Sequence, residues 1–136
     1  MHEKKAKGDI GVAFVIARLV ELGWNVGIPL TEHAPYDLFA EKGGELHTVQ
    51  VRYVAPREDV IYVKLSTSWA DRNGNHRRRR SAGQFSLLAI YSPGRGVFFL
   101  KDSELGDNGQ CVCLRFSPAK NNQRCGVRMA ENFRFP

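Results

Sequence analysis

Asp37, Gln50 and Arg52 are an acid, an amide and a base carried by one short stretch, PYDLFAEKGGELHTVQVRYV, residues 35 to 54. Its KGG segment supplies the glycines a tight reversal needs, so the stretch reads as two strands folded back on each other. Side chains alternate along a strand with period two. That puts Val49, Val51 and Tyr53 on one face and Thr48, Gln50 and Arg52 on the other. The apolar face is expected to pack on a helix, leaving Gln50 and Arg52 directed together into a cleft. Asp37, between Tyr36 and Leu38, can point to the same side. The competing reading of this trio is a solvated sheet face.

The elements that must position them can be read around the hairpin. Residues 9 to 22, DIGVAFVIARLVEL, predict a helix, with Ile10, Ala13, Phe14 and Ala17 at helical spacing and Val12, Ile16, Leu19 and Val20 widening the apolar stripe. Asp9 is placed to cap it and Gly23 to end it. WNVGIPL predicts a strand, TEHAP a turn, and VIYVKL, residues 60 to 65, an alternating strand. STSWADRNGNHRRRRSAG is polar and carries turn signals, and is read as an exposed loop. QFSLLAIY, residues 84 to 91, is almost continuously apolar, as in a strand buried on both faces. VFFL, a short KDSEL helical turn, a CVCLRF strand and a polar tail follow. No repeat or linker divides the chain, so residues 1–136 are expected to form a single domain of α+β class, a helix covering one face of a mixed β-sheet.

With 136 residues, 43% hydrophobic and 25% charged, the composition is that of an ordinary globular chain. A net charge of +6 favours an anionic partner, nucleic acid first and an acidic membrane surface second. No apolar run approaches a membrane span, VAFVIA stopping at Arg18. The N-terminus is polar and has no signal-peptide apolar region. Three cysteines are an odd number, which argues against a disulfide framework and for a reducing cytoplasm. Cys111, Cys113 and Cys125 with His76 match no common zinc spacing and are read as thiols.

The hairpin residues resemble those of the PD-(D/E)xK nucleases, and more narrowly the group I intron-encoded homing endonucleases with a PD…QxK pattern. PYDL stands for the acidic motif and VQVRY for QxK. KGDIGVAFVIARLVELGW, GQFSLLAIY with GVFFLKDSEL, and NNQRCGVRMAENF are similar to further segments of that group, so the resemblance covers nearly the whole chain. It implies a restriction-endonuclease-like fold and magnesium-dependent hydrolysis of DNA phosphodiesters. By the same resemblance Asp37 offers a carboxylate, Gln50 a side-chain oxygen and Val51 a main-chain carbonyl to the metal, all hard ligands that suit Mg2+. Arg52, at the lysine position, would hold the attacking water or offset charge on the phosphate. The relatives assemble as homotetramers, which implies a homo-oligomer, dimer or tetramer, on double-stranded DNA in a prokaryotic-type cytoplasm.

Two residues depart from the pattern. The family helix opens with Gly-Glu, whereas this chain has Gly11-Val12, and Arg52 replaces the lysine. Arginine pairs with phosphate bidentately but does not readily deprotonate. Asp37 is then the only sure anion. Asp9, one helical turn before Val12, either stands in for the missing carboxylate or caps the helix. Arg77, Arg78, Arg79 and Arg80 are candidate phosphate contacts, or else a charged loop. Lys64, Arg57, Lys120, Asn122 and Arg124 are further candidates for the DNA face, and Trp69 is either packing or a base-step wedge. The readings that remain are an active endonuclease, a degenerate relative that binds DNA without cutting it, and a structure-specific resolvase or repair nuclease on the same fold.

Overall fold

A computed structural model describes residues 3–65, 67–78, 83–105, 111–118 and 127–136. The elements run α1 (Glu3–Glu21), β1 (Asn25–Gly27), β2 (Leu38–Lys42), β3 (Glu45–Tyr53), β4 (Val60–Lys64), β5 (Thr67–Asp71), β6 (Gly74–Arg78), β7 (Leu87–Ser92), β8 (Gly96–Lys101), α2 (Asp102–Leu105), β9 (Cys111–Arg115), β10 (Val127–Met129) and a 3-10 turn at Ala130–Phe133. A five-stranded sheet has the order β1-β2-β3-β7-β8. It is mixed: β3 and β7 are parallel, the other neighbours antiparallel. The class is α+β, as expected.

The hairpin forms where the sequence places it. Gly43 and Gly44 both have positive φ, 58° and 86°, the left-handed pair a type I′ turn demands. Central β7 has Leu87, Leu88, Ala89 and Ile90 buried. Its alternate side chains feed two cores, because both faces of the sheet are covered. Leu87 and Ala89 join Val15, Leu19, Trp24, Leu38, Ala40 and Val49 beneath α1. Leu88 and Ile90 join Ile61, Val63, Val112 and Leu114 on the opposite face. Those four belong to a second, three-stranded sheet of order β10-β9-β4. The second sheet is a cover the sequence reading did not foresee.

α1 begins at Glu3, six positions before the expected start, so Asp9 lies exposed inside the helix and does not cap it. Its end is as expected. Gly23, φ 89°, follows the last turn, Gly23 N–H donates to Val20 O at 3.0 Å and Trp24 N–H to Leu19 O at 2.9 Å, the Schellman pattern. The buried stripe is a correction. Gly11, Val15 and Leu19 face the sheet, with Val12 and Ile16 half-buried beside them. Ile10, Ala13, Phe14 and Ala17 lie outward. The helix has two apolar stripes, and spacing alone does not say which meets the core. Gly11 lies where α1 meets β3: a Cβ there would be in van der Waals contact with Tyr53 Cβ at 3.4 Å and Val51 Cγ1 at 3.5 Å.

The polar stretch read as a loop is a hairpin instead. β5 and β6 pair antiparallel from Thr67↔Arg78 to Asp71↔Gly74, and the Asn-Gly signal is its turn, with Gly74 at φ 112°. Asp71 holds that turn through Asn73 N–H at 2.8 Å and His76 Nε2 at 2.8 Å. Cys111 is disulfide-bonded, which corrects the expectation of three thiols; an odd count leaves room for one pair. Cys113 is a buried free thiol whose pKa is raised by burial. Among the described residues no helix is long and apolar enough to cross a membrane.

Candidate active site at the open edge of a strand

The first residues of β3 pair with β2, up to Val49↔Leu38. Beyond that point β2 has ended, and Gln50 to Tyr53 pair only with β7, through Leu88 to Tyr91. The β2-side edge of this half is therefore open. Asp37 sits at its start, exposed, just ahead of β2. Its N–H donates to Val49 O at 2.8 Å, and its Oδ2 accepts from Val51 N–H at 2.8 Å. A carboxylate thus continues the ladder where the next backbone carbonyl would have been. In a strand a residue's N–H and C=O point to the same edge, so Val51 C=O opens beside Asp37. Asp37 Oδ1 makes no hydrogen bond among the described residues.

Alternation along β3 holds. Val49 and Val51 belong to the cluster beneath α1, which leaves Gln50 and Arg52 on the opposite face, both half-buried. Arg52 Nε is buried and has no hydrogen-bond partner among the described residues. A buried donor without a partner is costly. A groove of about 390 Å³ runs along the open edge, lined by Lys4, Lys7, Gly8, Val51, Arg52 and Tyr53. Neither Asp37 nor Gln50 is among its walls; Asp37 is joined to this half of β3 through its bond to Val51 N–H.

Lys4 and Lys7 escaped the sequence reading, which started the helix at Asp9 and noted the residues before it only as polar. The signal was present: once the helix is extended to Glu3, the two lysines share a face one turn apart with Gly8 and Gly11. Lys7 Nζ pairs with Glu3 at 2.9 Å, and the hydrogen bond and charge of Glu3 raise its pKa. It stays an ammonium throughout the neutral range.

A family model described as PD-(D/E)XK endonuclease matches residues 2–136. The chain belongs to the PD-(D/E)XK endonuclease family. A solved structure titled as that of a bacterial homing endonuclease, I-Ssp6803I, is similar with a TM-score of 0.70. It is 20% identical, and the match covers 97% of this chain and 88% of that one. Among curated proteins none matches. The PD-(D/E)XK nucleases generally act with divalent metal ions. Among the described residues no three His, Cys, Asp or Glu side chains gather in one place. Val12 is half-buried against the core below α1, and its side chain offers no donor.

The remaining candidates lie elsewhere or beyond the description. Lys64 is exposed at the end of β4, in the second sheet and off the strand pair that carries Asp37. Arg57 is exposed at an isolated bridge to Val60. Arg77 and Arg78 close β6, not a loop. Arg79, Arg80, Lys120, Asn122 and Arg124 lie outside the described residues.

Proposed function

We propose that this chain is a metal-dependent DNA endonuclease of homing type whose reacting centre is the open edge of β3, in a single domain spanning 1–136 that works as a homo-oligomer. The observation that carries the reading is the 2.8 Å bond from Val51 N–H to Asp37 Oδ2, which holds the one carboxylate beside the Val51 carbonyl. Asp37, Val51 C=O and the Gln50 amide are hard oxygen donors, the set that suits magnesium when substrate phosphate and water complete the shell. A bound divalent ion would there polarise the phosphodiester and ease deprotonation of water. Arg52 has a buried Nε without a partner, and a phosphate oxygen is the acceptor that satisfies it with charge assistance. Lys4 and Lys7 line the same groove, and Lys4 draws the DNA backbone along it.

A second reading is favoured by one observation. Val12 is half-buried in the core, so the helix position that the resemblance assigns to a glutamate brings no carboxylate, and the same edge serves a relative that binds DNA without cutting. Nicking of supercoiled plasmid with magnesium, by the parent and by Asp37→Ala, separates the two. Nicking by the parent that is lost in the variant is the expected result. Binding with no nicking at any magnesium concentration establishes the non-cutting relative.

A further inference from the structure

We infer that the outward stripe of α1 is a self-association surface that takes a second, antiparallel copy of the same helix. Ile10 is 44% exposed and Phe14 49%, and Ala13 and Ala17 are exposed between them. They recur at i, i+3, i+4 and i+7, the signature of a helix face meant to be covered, while the sheet covers a different one. Phe14 is held flat on Tyr91, ring centroids 4.2 Å apart and planes within 5°, so this face is a preformed surface. Beside it lies a hollow of about 420 Å³ lined by Phe14, Ala17, Arg18, Tyr91, Val97 and Arg134 among others.

The charges select the partner and its direction. Lys7, paired with Glu3, and Glu21, paired with Arg18, lie about four helical turns apart on the flank of the stripe that carries Phe14 and would exchange these exposed partners for each other across the contact. A two-fold axis near Ala13 and Phe14 sets the second copy's Ile10 opposite Ala17, at the mouth of the hollow, and its Glu21 opposite Lys7. The relation is isologous, so each contact occurs twice. The small side chains of Ala13 and Ala17 permit close approach of the two axes, and antiparallel macrodipoles favour this direction over the parallel one. A parallel pair sets Lys7 against Lys7 and Glu21 against Glu21. The inference rests on the homo-oligomer reading above and deepens it by naming the surface; it is measured without DNA or metal, so its failure leaves the nuclease reading standing.

The test is the mass of the full chain by sedimentation equilibrium over a range of concentrations. The parent is expected to associate reversibly. Ala17→Arg puts a charge in the centre of the contact and is expected to raise the dissociation constant about 30-fold or more, with helical content by circular dichroism unchanged because Ala17 is exposed. Leu30→Asp, at a residue 100% exposed away from the helix, is expected to leave the mass unaltered. Lys7→Glu is expected to weaken association several-fold, and Glu21→Lys in the same chain to restore it. A parent that stays monomeric at all concentrations overturns the inference. So does association that Ala17→Arg leaves untouched, or a Lys7→Glu defect that Glu21→Lys deepens.

Discussion

β3 behaves as two strands joined at Val49. Its first half, Glu45 to Thr48, runs beside β2, and its second half, Gln50 to Tyr53, runs beside β7. The first half settles its own polar groups. Thr48 N–H donates to Ser86 Oγ at 2.9 Å, His47 Nδ1 meets the same oxygen at 3.0 Å, and Glu45 takes the other ring nitrogen at 2.7 Å. The second half leaves its outer edge to one borrowed carboxylate and two helix lysines, and keeps an unpartnered guanidinium nitrogen at its centre. One half is built to be finished by the chain, the other by a ligand.

Asp37 marks the difference most sharply, and its loss has the largest expected effect. Asp37→Ala is expected to remove magnesium-dependent nicking by about 1,000-fold or more, the scale of losing a group on which the reaction depends. The accompanying hydrogen-bond loss at Val51 N–H is expected to cost only about 1 kcal/mol of stability. Asp37→Asn separates the roles, since its amide oxygen can still accept from Val51 N–H while the charge is gone. Urea melts and plasmid nicking on the three proteins check this. Full nicking by the asparagine variant would show that the edge needs an acceptor and not an anion.

Packing should differ between the halves in the opposite sense. Leu38 faces the junction with Val49 and both are fully buried. Leu38→Ala is expected to cost about 3 kcal/mol, on the order of 100-fold in the folding equilibrium. Tyr53, at the far end of the open half, is only half-buried, and truncating it to Ala should cost clearly less. Equal costs in urea unfolding would mean that the open half is as firmly packed as the closed one.

The hairpin, its turn and the alternation on β3 were legible because two glycines and a period of two are local signals. Central β7 was legible for the same reason, through an apolar run with no polar face. What was not legible depended on distant parts of the chain. The stripe of α1 that meets the sheet runs through Gly11, Val15 and Leu19, and Gly11 has no side chain to show in a hydrophobic pattern. The second sheet brings β4, Val60–Lys64, beside β9, Cys111–Arg115, from more than a third of the chain away, and nothing in VIYVKL names that partner. Of the candidate site, Asp37 and Arg52 were picked out by type and spacing. Lys4 and Lys7 were missed because the helix start was set at Asp9, whose capping chemistry looked sufficient and is unused.

The two departures from the family pattern bear on how far the open half falls short of an efficient site. Val12→Glu would bring a carboxylate to the helix face near the edge, at a cost of about 1–2 kcal/mol because Val12 is half-buried. Arg52→Lys would replace a planar fork with a compact ammonium. Each alone is expected to raise nicking less than about tenfold, and the pair by more than the product of the two, since groups acting as a unit are not additive. Nicking rates of the parent, both single variants and the pair on one plasmid test it. A parent as fast as the pair would mean that Val12 and Arg52 are working solutions and not losses.

The smallest effect is expected in the closed half, at Glu41. Its Oε2 accepts from Asn25 Nδ2 at 2.8 Å and its Oε1 from Gly44 N–H at 3.0 Å, so one carboxylate ties β1 to the turn that closes the hairpin. The Asn25 bond first, and the Gly44 bond second, lower its pKa below the usual glutamate value. A lowered folded-state pKa contributes stability that is present above the unfolded value and is lost as the pH falls through the folded one. Glu41→Gln can keep the Gly44 bond through its amide oxygen. On the Asn25 side it presents an NH2 group that cannot accept. The variant is therefore expected to melt slightly below the parent at neutral pH, and the two curves are expected to converge in acid, where the parent's carboxylate is protonated too. Melting temperatures of both proteins across the acidic range measure this. A gap that stays constant down to the lowest pH would show that Glu41 acts through its shape and not its charge, and a gap at neutral pH as large as that of Leu38→Ala would show that the turn, and not the buried junction, holds the closed half together.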